Sequence, residues 1–151
     1  MNIMKILNDI SGDDTNQYFK ARINIHYTHN FLREHLLEIL KPVGLSDTQF
    51  NVLRILKNVY PETASVNDIK DQMIDRNSDV SRLIDRLHSK NYLIRKEGKI
   101  DRRQKEIQLT QIGIEIISKI DSQEEVINAK INHLTIKEVK LLNGLLNKIR
   151  S

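Results

Sequence analysis

The sequence contains no cysteine. That absence excludes disulfides, thiolate metal sites, cysteine nucleophiles and thiol-based redox sensing together. A reducing cytoplasm is therefore the expected location. Long apolar runs are missing too. The longest stretch free of Lys, Arg, Asp and Glu is the ten residues Ile23–Leu32, whereas a membrane-spanning helix needs about 20 apolar residues. No membrane partner is expected. Near the N-terminus, Asp9 stands where a signal peptide would continue its apolar region, and no small-residue cleavage site follows. Glycine (5) and proline (2) are sparse, and there is no internal repeat or low-complexity tract. Such a composition favours long helices with short connections. Catalytic signatures are also lacking. There is no Gly-rich phosphate loop and no Gly-x-Ser-x-Gly, and the five histidines form no His-Glu-x-x-His. The sequence implies neither an enzyme nor a cofactor.

What is present is a chain of 151 residues, 39% hydrophobic and 29% charged, which suits one packed globular domain with extensions. Net charge is +4, and its distribution is uneven. Between Arg76 and Lys105 lie ten Lys/Arg and four acids, so this segment carries +6 while the remainder carries −2. All the positive excess sits in one fifth of the chain. Such a concentration suits an anionic partner, or simply a solvated face.

The pattern of apolar residues is mostly helical. Residues 1–12 form a short amphipathic piece ending at Ser11-Gly12. From Thr15 to Lys41, Phe19, Ile23, Tyr27, Phe31, Leu36/Leu37 and Leu40 recur near the helical period, until Pro42 and Gly44 stop it. Such a helix is about 40 Å long, too long for a small domain to cover, and helices of this kind often pack on a second subunit. Ser46-Asp-Thr-Gln49 is a capping box that opens the next helix. Ser65 or Asn67 caps a short helix, and another begins around Asn77-Ser78-Asp79. Its apolar residues Val80, Leu83, Ile84 and Leu87 make one stripe. Asn91 stands where the chain needs a left-handed residue.

The period then changes. Leu93–Glu97 and Lys105–Leu109 read as two strands joined by a polar, basic hairpin tip with Gly98 at its bend. Helices resume at Thr110, run to about Asn132 and pause at Leu134. Thr135-Ile-Lys-Glu138 caps the last one, whose stripe is Val139, Leu142, Leu145/Leu146 and Ile149. Helix, short helix, helix and basic hairpin are the order of a winged helix-turn-helix. The predicted fold is mainly α with a small β-hairpin wing: an N-terminal dimerisation helix (1–44), a DNA-binding lobe (45–109) and C-terminal dimerisation helices (110–151).

The side chains suit duplex DNA. Ser78, Arg82 and Arg86 are spaced i, i+4, i+8, flanked by Asn77, Asp79, Ser81, Asp85 and Ser89. A helix bearing them fits a major groove roughly 12 Å wide, where Arg pairs with guanine and Asn with adenine. The plainer alternative makes Arg82 and Arg86 surface charge partners of Asp85. The hairpin favours DNA, because its tip gathers Lys99, Arg102, Arg103 and Lys105 against Asp101 alone. A basic finger of this kind reaches into the narrow minor groove, with Asp101 holding a neighbouring arginine in one rotamer.

Val80-Ser-Arg-Leu-Ile-Asp-Arg-Leu-His-Ser-Lys-Asn-Tyr-Leu-Ile-Arg95, then Asp101-Arg-Arg103 and Leu109-Thr-Gln-Ile-Gly113, resemble the MarR family of bacterial winged-helix transcriptional regulators. The resemblance runs more loosely from Leu45 to Gly113. Asn91 departs from it, since the family commonly has glycine there. By resemblance, Asn77, Ser78, Asp79, Ser81, Arg82 and Arg86 face DNA, Arg103 enters the minor groove, and Asp101 supports it. The family further implies a homodimer on a pseudo-palindromic operator, a repressor role, and release by a small-molecule effector. An apolar cleft for that ligand would be lined by residues such as Tyr18, Ile23, Tyr27 and Phe31. Two other readings keep the same fold. One is a zinc-responsive regulator using His26 and His29, spaced i, i+3, with Glu34 and His35 further along the helix. The other is a winged-helix module that contacts protein and not DNA.

Overall fold

The computed structural model describes residues 15–98 and 105–151. The amphipathic piece expected at residues 1–12 lies outside them. Two units are distinguished, one ending at His35 and the other running from Leu36 to Ser151.

Helix α1 spans Thr15–Leu40. A 3-10 turn, Lys41–Val43, follows with Pro42 in its first turn, and Gly44 closes it in the left-handed conformation (φ 64°). Up to His35, the helix leaves Tyr18, Phe19, Ile25, Tyr27 and Phe31 exposed. Within it Arg22 stacks over the Phe19 ring at 5.4 Å, and Phe31 meets His35 edge-on at 4.9 Å.

The second unit is built from short helices around a three-stranded sheet. Helices α2 (Asp47–Val59) and α3 (Val66–Gln72) come first, with strand β1 (Ala64–Ser65) between them. Helix α4 (Val80–Ser89), strands β2 (Leu93–Glu97) and β3 (Lys105–Leu109), and helices α5 (Gln111–Asp121), α6 (Glu124–Asn128) and α7 (Ile136–Arg150) follow. The capping boxes at Ser46/Gln49 and Thr135/Glu138 form as the sequence predicts. At α3 the capping residue is Ser65, whose hydroxyl accepts from the Asp68 amide while the Asp68 carboxylate accepts from the Ser65 amide.

Helices α2 to α5 and the three strands share one apolar core. Phe50, Val52, Leu53, Ile55 and Leu56 of α2 meet Ile69 of α3, the Val80–Leu83–Ile84–Leu87 stripe of α4, and Ile107 and Leu109 of β3. Ile117 and Ile120 of α5 join the same core, as do Ile39, Leu40 and Leu45. Truncating a fully buried member such as Ile84 costs roughly 2–5 kcal/mol, because packing as well as transfer energy is lost. Helix α7 differs sharply. It buries none of its residues, and Ile136, Leu141, Leu142, Leu145 and Ile149 are exposed.

The strands pair antiparallel in the order β1-β3-β2. Leu93 faces Leu109 and Glu97 faces Lys105, so β2 and β3 form the expected hairpin with the expected bounds. Strand β1 was not foreseen: two residues pair with β3 through Ala64–Ile107 and Ser65–Glu106, too short a segment for an alternation signal. The helices expected from Thr110 to about Asn132 form as α5 and the short α6. Helix α5 ends at Asp121, where the Gln123 amide turns back to the Ile120 carbonyl at 2.9 Å, and turns follow α6.

Candidate nucleic-acid interface

Helix α4 is fixed on one side and open on the other. Val80, Leu83, Ile84 and Leu87 are buried, while Ser81, Arg82, Asp85, Arg86 and Ser89 are exposed on the opposite face. Its position is held at both ends. Asp79 is the N-cap, its carboxylate accepting from the Arg82 amide at 3.1 Å. Beyond the last turn, Lys90 Nζ donates to the Gly44 carbonyl at 3.0 Å. Asn91 then takes the left-handed conformation at φ 60°, as its sequence position requires.

The helix starts at the Asp79 end of the expected Asn77-Ser78-Asp79 segment. Asn77 and Ser78 precede it, and Asp75 organises them. One Asp75 carboxylate oxygen accepts from the Asn77 amide at 3.0 Å and the other from the Ser78 hydroxyl at 3.2 Å. Ser78 is therefore set by a turn and not by the helical i, i+4, i+8 row that Arg82 and Arg86 continue. The plainer alternative, which paired Asp85 with Arg82 or Arg86, is also corrected. The Asp85 carboxylate pairs with Arg95 of β2, leaving Arg82 and Arg86 without an acidic partner among the described residues. Sequence reasoning missed this pair because it joins a helix to a strand rather than neighbours on one helix.

Residues 45–105 match the profile of the MarR family. Over 137 residues the chain is 26% identical to the HTH-type transcriptional regulator MhqR of Bacillus subtilis, covering 89% of this chain and 92% of the relative. A mutant MarR from E. coli solved in complex with operator DNA superposes with a TM-score of 0.78 at 25% identity, covering 91% of this chain and 99% of that one. A MarR transcription factor from Planctomyces limnophilus superposes with a TM-score of 0.67 at 27% identity, covering 91% and 98% respectively. The chain carries a MarR-family domain.

The Leu109-Thr-Gln-Ile-Gly113 run has a structural reason here. Thr110 caps α5 through the Gly113 amide, donates its hydroxyl to the Asn91 carbonyl at 2.7 Å, and donates its amide to the Tyr92 carbonyl at 3.1 Å. Gly113 lies so close to Tyr92 that no side chain fits. The motif thus clamps the exit of α4 to the start of α5, and with it the root of the wing.

Of the residues singled out by sequence, Asn77, Ser78, Asp79, Ser81, Arg82 and Arg86 lie along one segment leading into and along α4. Lys99, Asp101, Arg102 and Arg103 lie outside the described residues. His26 and His29 are exposed on α1, and among the described residues no three His, Cys, Asp or Glu gather as a metal-holding group. No helix among them is long and apolar enough to cross a membrane.

Proposed function

We propose that the protein regulates transcription by binding double-stranded DNA as a homodimer, with α4 in the major groove and the wing in the adjacent minor groove. The observation that carries this is the exposed Arg82–Arg86 face of α4, backed by a buried stripe and clamped at both ends. A rigidly mounted helix presenting guanidinium groups is what base-edge readout needs. That the E. coli MarR mutant was solved with operator DNA supports the reading.

Dimerisation is part of the proposal. The outward apolar residues of α7 and the exposed aromatics of α1 are surfaces that a monomer leaves in water, and contiguous apolar patches mark interaction sites. A two-fold dimer placing α4 in successive major grooves demands half-sites about 10 bp apart. Residues 99–104 supply the minor-groove finger, with Lys99, Arg102 and Arg103 as its cations and Asp101 as the support of Arg103. Release by a small apolar ligand completes the scheme, and Tyr18, Tyr27 and Phe31 offer aromatic surface for it.

In vitro selection from a random duplex library tests the reading. A gapped pseudo-palindrome is the expected product. Recovery of no enriched motif would contradict it and favour a protein-contact role for the winged helix.

A further inference from the structure

The exposed face of α4 carries a carboxylate at its centre. Asp85 stands between Arg82 and Ser89 on the side opposite the buried stripe, where a negative charge opposes the approach of phosphates. Its partner is the Arg95 guanidinium from β2. The side chains of Arg95 and Asp85 remain 38% and 62% exposed, so the pair is well solvated and contributes little to folding. Its placement therefore bears on what the surface does. Arg95 lies on the root of the basic wing, and a free guanidinium there would add a phosphate contact that is blind to sequence.

We propose that Asp85 is a specificity-determining residue that holds Arg95 as an internal counter-ion, withholding a sequence-independent phosphate contact while orienting the wing root against α4. The proposal rests on the DNA-binding reading above. Paired, the two groups add no net charge to the interface, so discrimination is left to Arg82 and Arg86. Unpaired, Arg95 would raise affinity for every duplex and dilute that discrimination.

The test compares the full-length protein with Asp85→Asn, Arg95→Gln and the double variant, on the selected duplex and on a scrambled one, across a salt series. Asp85→Asn should bind the scrambled duplex about tenfold more tightly, with the slope of log affinity against log salt steeper by about one unit per copy engaged. The ratio between the two duplexes should fall. Arg95→Gln should weaken both duplexes and flatten the slope, and the double variant should restore the wild-type slope. Neutralising an exposed carboxylate on α5, Glu115→Gln, controls for net charge and should leave the slope unchanged. An unchanged slope in Asp85→Asn, or an equal change in Glu115→Gln, would overturn the proposal while leaving DNA binding intact. Wild-type protein that shows no salt-dependent duplex binding would overturn both.

Discussion

The carbonyl oxygen of Tyr92 occupies the space that a side chain at position 113 would need: a Cβ on Gly113 would lie 2.1 Å from it. Both partners of this contact are backbone, so neither can swing aside. Gly113→Ala should therefore force the start of α5 away from the exit of α4, at a cost of about 1–3 kcal/mol or more. Urea denaturation measures the loss. DNA affinity should fall further than the stability change alone accounts for, because α4 and the wing root share this clamp.

Asn91 offers the opposite experiment. Its left-handed backbone is strained for residues with a branched Cβ but natural for glycine. Asn91→Gly should leave stability within a few tenths of a kcal/mol of wild type, and Asn91→Val should cost roughly 1–2 kcal/mol. Equal stability of the two variants would show that the turn rearranges.

The cap of α3 predicts a pH dependence. The Ser65 hydroxyl, followed by its amide, holds the Asp68 carboxyl below its ordinary value. A carboxyl lowered in the folded state gives stability that is full above its unfolded pKa and disappears as pH falls through the folded one. Asp68→Asn should therefore be less stable than wild type at neutral pH, and the gap should narrow at acid pH as the wild-type carboxyl becomes protonated. Ser65→Ala removes the hydroxyl itself and should cost about 1 kcal/mol at neutral pH. Parallel denaturation curves at neutral and acid pH check both.

The open face of α7 predicts an assembly defect. Leu142→Lys with Leu145→Lys places two cations on a face exposed in the single chain, so the fold of one copy should survive. Sedimentation should then show monomers, with helix content by circular dichroism preserved and duplex affinity reduced by loss of the second half-site. A dimer that persists would move the interface elsewhere.

Features set by neighbouring residues were legible in the sequence. The boxes at Ser46/Gln49 and Thr135/Glu138 close within one turn, the Val80–Leu87 stripe repeats at helical spacing, and Lys105–Leu109 puts Ile107 and Leu109 on one face as a strand does. Contacts between distant residues were not. Strand β1 exists because Ala64 finds Ile107, and Asp85 pairs with Arg95 because β2 runs beside α4. The start of α4 depends on the Asp75 carboxylate gathering Asn77 and Ser78, a turn that competes with a helical first turn. The break after Asp121 coincides with an ion pair to Lys57 of α2, again out of reach of local pattern. The exposure of Arg82 and Arg86 was legible because a buried stripe defines its opposite face.

The central claim is that this opposite face reads base edges, and repeating the in vitro selection with Arg82→Ala and Arg86→Ala tests it most directly. Each variant should still enrich a gapped motif, but with relaxed preference at defined positions in both half-sites. The corresponding penalty in affinity for the wild-type motif should be about 1–3 kcal/mol for a bidentate contact. Identical motifs from wild type and both variants would contradict the account.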